Sequence, residues 1–199
     1  TKDNTNLYIN GSNTAAATID AGDLWLATTD YWSSQDQGAT MYIRTQDKKY
    51  PVYAYQGVCG NGDSEANQGM FFVPPISEDA NDDVNNIPDI DYIGNDPYQE
   101  QAGVSIVTNS DATITISQNG AAYDVNLLNP VNVIGRPEYK AYTVTNLAGD
   151  VSVTSSGELY LAYFNTRGAA TSGGFYAGFA SPPNAEIDLG INALGNCLQ

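Results

Sequence analysis

Short runs of alternating apolar and polar residues, bounded by Gly, Asn and Asp, extend along the whole chain and constrain its fold more than any other feature. Successive residues of a strand point to opposite faces, so this pattern is typical of half-buried strands. No window keeps the period of about 3.6 residues that an amphipathic helix requires. The sequence therefore predicts an all-β protein, with strands near residues 6–10, 23–28, 40–45, 52–56, 70–73, 104–108, 112–117, 123–127, 139–145, 151–154, 159–165 and 174–179.

Two segments, about 41–75 and 149–183, match each other without a gap at an offset of 108 residues. Each is typical of a hairpin in which an apolar strand enters a Gly-rich loop and an aromatic strand leaves it. A hairpin is marginally stable alone, so we expect one domain over residues 1–199. The predicted fold is an antiparallel β-sandwich with an internally duplicated hairpin unit and long loops; a partial propeller is the alternative. The matched pairs include Tyr55 with Tyr163, Phe71 with Phe179, and Pro74-Pro75 with Pro182-Pro183.

The segment between these copies, residues 77–101, is strongly acidic. It carries eight carboxylates and no basic residue, which predicts a long crossover loop rather than a core strand. Crowded carboxylates repel one another, and a Ca²⁺ ion with about six to eight oxygen ligands would relieve that repulsion. The alternative is a solvated acidic loop that only keeps the protein soluble. The candidate calcium ligands are Asp79, Asp82, Asp83, Asp89 and Asp91.

Charge and composition narrow the possible functions. The chain has 23 acidic and 7 basic residues, a net charge of −16, and no histidine. Nucleic-acid binding depends on clustered Lys and Arg, yet no basic residue lies between Lys49 and Arg136. Nucleic acid is therefore a poor partner, and no apolar run is long enough to predict membrane insertion. Without histidine, a Ser-His-Asp triad, a Cys-His pair and imidazole metal ligands are excluded.

The two cysteines, Cys59 and Cys197, lie far apart in the sequence. They are too few for a four-ligand structural zinc site. In an oxidising compartment they would form one disulfide, and otherwise they are two buried thiols; both interpretations remain open.

Aromatic residues supply the candidate ligand-binding positions. Tyr53 and Tyr55 share a face of their strand because they alternate, and a flat aromatic face suits sugar rings. We expect Tyr55 and Tyr163 to belong to the core. The predicted ligand-binding residues are Tyr31 and Trp32, in a polar turn, together with Tyr53.

Several blocks of the sequence resemble a known family. They are PVYAYQG, SEANQGMFFVPP and VSVTSSGELYLAYFNTRGAATSGGFYAGF. They resemble the IgGFc-binding-like domain found in large cell-surface proteins of gliding Bacteroidetes, including SprB-type adhesins. The resemblance spans about residues 8–183. It implies a surface-exposed module of a secreted adhesin, exported by the type IX system, and it carries no catalytic residues.

The function expected from the sequence is a non-catalytic ligand-binding or adhesive module, involved in cell-surface adhesion or gliding. Its expected location is extracellular, at the outer-membrane-associated cell surface. The expected partners are a surface polysaccharide or another extracellular ligand, and neighbouring domains of a longer parent chain, because the sequence begins Thr1-Lys2-Asp3 without an initiating Met. The alternatives are a structural spacer of a surface filament and a carbohydrate-active enzyme with paired carboxylates.

Overall fold

The computed structural model describes residues 2–27, 40–57, 70–77, 80–167 and 170–178. Over these ranges the chain is all-β with antiparallel sheets, and two short 3-10 turns, Gln99–Gln101 and Val125–Leu127, are its helical elements. The predicted fold class is confirmed. Within the same ranges, no helix is long and apolar enough to cross a membrane.

Sixteen strands follow one another along the described chain. Their bounds are β1 Thr5–Ile9, β2 Ala17–Ile19, β3 Ile43–Thr45, β4 Ala54–Gly57, β5 Met70–Val73, β6 Asp83–Ile87, β7 Tyr92–Ile93, β8 Asp96–Pro97, β9 Gly103–Asn109, β10 Ile114–Gln118, β11 Ala121–Ala122, β12 Val131–Asn132, β13 Tyr139–Thr145, β14 Val151–Ser155, β15 Leu159–Arg167 and β16 Ala170–Ala177.

Two sheets form a sandwich. The larger has five strands in the order β12-β13-β9-β15-β16, and the smaller has four in the order β11-β10-β14-β6. Alternate residues of both sheets enter one core, so burying them holds the sheets face to face. The largest fully buried side chains of this main core are Ile87, Ile90, Ile106, Ile116, Leu147, Leu159, Leu161, Val104, Val144, Val151 and Val153.

A buried hydrogen bond also joins the two sheets. The hydroxyl oxygens of Thr108, in β9, and Ser155, in β14, lie 2.8 Å apart. Thr108 donates its single hydroxyl proton to the Glu158 carbonyl at 2.7 Å, so Ser155 is the donor to Thr108. These buried hydroxyl groups at the end of the core therefore all have hydrogen-bond partners.

The three-stranded sheet β2-β1-β3 contacts the sandwich through two glycines. Gly11 and Gly135 have φ values of +76° and +80°, and a Cβ placed on Gly11 would lie 2.7 Å from Gly135 Cα. Each position therefore requires a left-handed conformation and also lacks space for a side chain. Nearby, the Asn10 side chain accepts a hydrogen bond from the Tyr42 N–H at 3.0 Å.

Three strand predictions are wrong. No strand occurs over residues 23–27, and residues 123–127 contain a 3-10 turn. There the Asp124 carboxylate accepts a hydrogen bond from the Asn126 N–H at 3.0 Å, which favours a turn over a strand. The acidic segment, expected to be a loop, contributes β6 to the smaller sheet, where Val84 and Ile87 are buried in the main core.

The two hairpins predicted to be copies differ in register. Tyr55 pairs with Phe72, whereas Tyr163 pairs with Gly174. The offset of 108 residues aligns β4 with β15, but it does not align β5 with β16. Twelve residues connect β4 to β5, whereas only two connect β15 to β16. Phe179 lies outside the described residues. Both segments therefore form a hairpin, but the two hairpins differ in strand register and in the length of their connections.

The contact between Gly11 and Gly135 generates a testable prediction. Gly135→Ala should lower the free energy of unfolding, measured by urea denaturation, by about 1 kcal/mol for the left-handed conformation and a further ~1–3 kcal/mol for overpacking. Gly120→Ala is the matched control, since Gly120 has a φ of +76° but open space around its Cβ position. Equal losses for the two variants would show that the docked glycine pair is not tightly packed.

Candidate binding surface on the β4–β5 hairpin

One face of the β4–β5 hairpin presents aromatic rings to solvent. Tyr53 and Tyr55 are 68% and 58% exposed. Phe72, the strand partner of Tyr55, lies between them, with ring centroids 6.0 Å from Tyr53 and 5.9 Å from Tyr55. Met70, 74% exposed, continues the same face along β5. We call these four residues the aromatic face.

The opposite face of the hairpin holds it against the sandwich. Phe71 packs edge-on against Phe175 of β16, with ring centroids 5.4 Å apart. Buried Pro74 follows β5 and packs beside Gly178. Because alternate residues point to opposite faces, the contact of Phe71 with Phe175 places Phe72 on the aromatic face.

A hydrogen-bonded anchor fixes the chain just beyond β5. The Ser77 N–H donates to the Tyr160 hydroxyl at 2.7 Å. The single proton of that hydroxyl can go to Glu158 Oε2 at 3.0 Å or to the Ser77 carbonyl at 3.1 Å. Tyr160 extends from β15, so this anchor ties the hairpin to the central part of the larger sheet.

Glu158 joins the anchor to a second tyrosine. The Tyr139 hydroxyl donates to Glu158 Oε2 at 2.6 Å, and the Tyr139 and Tyr160 rings pack edge-on with centroids 6.4 Å apart. Burial raises the pKa of Tyr139 to about 12, and the hydrogen bond to Glu158 raises it in the same direction. Burial also raises the pKa of Tyr160. Both hydroxyls therefore stay protonated near neutral pH and act as hydrogen-bond donors, not as nucleophiles.

Arg136 extends this network toward the three-stranded sheet β2-β1-β3. Its guanidinium carbon lies 5.2 Å from the Tyr42 ring centroid and 5.4 Å from that of Tyr139, within the range of a cation–π interaction. Its Nε is 2.8 Å from Glu138 Oε1. The Arg136 guanidinium thus contacts the rings of both Tyr42 and Tyr139 and connects the chain before β3 to β13.

The geometry suits binding rather than covalent chemistry. The tyrosine–glutamate network uses its hydroxyls and its carboxylate to connect layers of the fold. The aromatic face, by contrast, exposes the rings of Tyr53 and Tyr55 to solvent, inclined at 58° and 70° to the ring of Phe72. Exposed apolar patches of this kind mark interaction sites.

The sequence predicted part of this surface. Tyr53 lies on the aromatic face, Tyr163 packs against the main core, and Tyr31 and Trp32 lie outside the described residues. The prediction that Tyr55 belongs to the core is wrong, because Tyr55 is 58% exposed and the hairpin contacts the sandwich through the face that carries Phe71. Alternation showed that Tyr53 and Tyr55 share a face but not which face meets solvent.

The described residues among the predicted calcium ligands lie in different elements of the structure. Asp83 lies in β6, Asp89 has a φ of +46° in the turn before β7, and the buried Asp91 carboxylate accepts a hydrogen bond from the Gly149 N–H at 2.6 Å. The Asp82 carbonyl accepts from the Ser155 N–H at 2.7 Å. In the part of the chain that the structure describes, no three carboxylate or thiol residues converge as a metal site. Asp79, Cys59 and Cys197 lie outside that part.

Comparison with known proteins identifies one family. A family model described as IgGFc binding protein matches residues 1–164, most of the chain. No curated protein and no solved structure matches the sequence. The matched range includes the aromatic face, the acidic segment and the Tyr139–Glu158–Tyr160 network.

The raised pKa of Tyr139 predicts a loss of stability in alkali. In the unfolded chain this hydroxyl has its ordinary pKa near 10, so its contribution is fully present below about pH 10 and lost as the pH rises through about 12. The difference in free energy of unfolding between wild type and Tyr139→Phe should therefore shrink from pH 10 to 12. Tyr53→Phe, which removes an exposed hydroxyl, is the control. A difference that stays constant across this range would contradict the role of Glu158 as acceptor.

Proposed function

We propose a function from two premises: this chain belongs to the IgGFc-binding protein family, and it presents an exposed aromatic face on a firmly anchored hairpin. It is a non-catalytic binding module, and the aromatic face binds an extracellular polysaccharide. The single observation that carries this proposal is the exposure of Tyr53 and Tyr55 beside Phe72.

Ring stacking explains why a sugar polymer suits this face. Tyrosine provides a large and rigid apolar surface at a low cost in side-chain entropy. A pyranose ring has an apolar face of C–H groups that can lie flat on such a ring, while its hydroxyl groups stay in water. Two tyrosines two residues apart on one strand are separated by roughly 7 Å, a spacing of the order of one sugar unit. A chain of sugars can therefore contact both rings.

The charge of the protein restricts which polysaccharide fits. A net charge of −16 repels anionic polymers at low and moderate ionic strength. Neutral or cationic polysaccharides are therefore the favoured class. The same acidity and the low share of charged residues support an extracellular location at a bacterial cell surface, where the module would serve adhesion or gliding within a longer parent protein.

Two alternatives make different predictions for the same surface. A structural spacer of a surface filament would bind no sugar and would not depend on Tyr53 or Tyr55. A carbohydrate-active enzyme would release reducing ends from a polysaccharide that it binds. The family is one of binding modules, which supports the first proposal over the enzyme.

Substitution of the exposed rings tests the proposal. The probes are soluble neutral glucans, mannans and xylans, measured by affinity electrophoresis and calorimetry. Tyr53→Ala and Tyr55→Ala should each weaken binding by about tenfold, the loss of a contact worth more than ~1 kcal/mol, with an unchanged melting temperature. Tyr92→Ala, at a tyrosine 41% exposed in β7, is the matched control and should bind normally.

Three results would contradict the proposal. Binding of none of these polymers favours the spacer, and release of reducing ends favours the enzyme. Equal binding by wild type and both aromatic variants would place the sugar site elsewhere on the molecule.

Calcium binding by residues 77–101 stays a prediction. If Asp79, Asp82 and Asp83 contribute ligands, the melting temperature should rise at millimolar calcium and fall when EGTA is added. Millimolar calcium is the right range because extracellular modules bind Ca²⁺ with a Kd of about 10⁻⁴–10⁻³ M. The double variant Asp82→Asn, Asp83→Asn should lose this response, while Asp111→Asn, outside the segment, should keep it. A melting temperature indifferent to calcium and chelator would leave the segment as a solvated acidic surface.

A further inference from the structure

Strand β13 has one edge that is only partly covered. On one side all seven of its residues pair with β9. On the other side β12 pairs with it only at two positions, Val131 with Ala141 and Asn132 with Lys140. From Thr143 to the end of the strand, no strand of the described chain lies alongside this edge.

The main-chain groups of two residues point at the open edge. The Val133 N–H donates to the Tyr139 carbonyl at 3.1 Å, so Tyr139 directs its main chain toward β12. Residues of a strand alternate in this direction, and Thr143 and Thr145 therefore share it. Among the described residues, neither has a main-chain hydrogen-bond partner on that side. Two donors and two acceptors are thus available along the edge.

A groove lies beside these groups. Its volume is about 260 Å³, and one wall is formed by the side chains of β13 that face it. The other wall comes from β12 and the chain before it, where Val131 and Leu127 are 43% and 71% exposed. The groove opens because this chain leaves the register that would place Asn129 opposite Thr143. The lining residues are Leu127, Leu128, Asn129, Val131, Ala141, Thr143 and Thr145.

Two other outer strands, β6 and β16, lack this combination. Strand β6 presents the exposed polar side chains of Asn85 and Asn86 instead of an apolar wall. On β16, Phe175 is covered by Phe71 of the hairpin. At β13, main-chain groups without a strand partner in the described chain lie next to the exposed side chains of Leu127 and Val131.

We propose that the open edge of β13 binds an extended peptide segment of a second polypeptide, which adds to the sheet as a strand. The main chain of Thr143 and Thr145 would form the ladder hydrogen bonds, and the groove would take an apolar side chain at an alternate position of the peptide. This is the β-augmentation mode of recognition, in which main-chain bonds give affinity and side-chain pockets give specificity. Because the protein carries a net charge of −16, basic residues at the remaining peptide positions are favoured.

Amide NMR on the whole chain tests this proposal directly. The probes are capped pentapeptides with Val, Ile, Tyr or Phe at the alternate positions and Thr or Lys between them. Binding should shift the amide signals of Thr143 and Thr145 and slow their hydrogen exchange by about tenfold or more. N-methylation of the peptide amides that face β13 removes the ladder donors without shortening the side chains, and it should abolish binding.

A protein variant separates the edge from the groove. Leu127→Ser removes the apolar side chain from the exposed wall and should weaken binding by about tenfold, while Leu24→Ser, at a leucine 93% exposed elsewhere, should leave it unchanged. The proposal is overturned if no peptide of the set shifts these amides, or if the N-methylated peptides bind equally well. Protection of Thr143 and Thr145 that rises with protein concentration alone would instead assign the edge to a second copy of this chain.

Discussion

Burial of β15 on both of its faces is the constraint on which the rest of the structure depends. Leu159 and Leu161 point into the main core between the two sheets, while Tyr160 and Ala162 are buried on the opposite side. A shift of this strand by one residue would exchange its two faces, which would remove Leu159 and Leu161 from the main core and place Tyr160 there. The register of β9 and β16 on either side of β15 follows from this. So does the position of the Tyr160 hydroxyl, which holds Ser77 and thereby the hairpin with the aromatic face.

The sequence predicted the strands of the larger sheet well, because their pattern is local. β13 falls at its predicted residues, since YKAYTVT alternates and is β-branched or aromatic at most positions. β6 was missed because its apolar residues, Val84 and Ile87, are three apart. The pairing with β14 is irregular there, and this breaks the period of two. Local alternation cannot reveal a strand whose place in the sheet is decided by its partner.

The candidate site was predictable only in part for a related reason. The shared face of Tyr53 and Tyr55 follows from alternation, but its exposure depends on the contact of Phe71 with Phe175, which joins distant parts of the sequence. The open edge of β13 likewise depends on where β12 stops pairing. The strand order β12-β13-β9-β15-β16 places this edge and the hairpin at opposite ends of the larger sheet. The aromatic face and the open edge are therefore separate surfaces, and occupation of one leaves the other accessible.

The docking of Gly11 against Gly135 has a consequence for the order in which the chain can fold during synthesis. The strands β1, β2 and β3 are made first, yet the surface that receives them includes Gly135 and Arg136, which leave the ribosome much later. Independent domains fold as they emerge, N-terminal first, but this early part of the chain must wait for its partner. Its pairing with the sandwich is a contact between distant parts of the sequence, and such contacts slow folding. Until β12 and β13 have appeared, the nascent N-terminal strands have an incomplete interface, and a chaperone would be most useful to the protein in that interval.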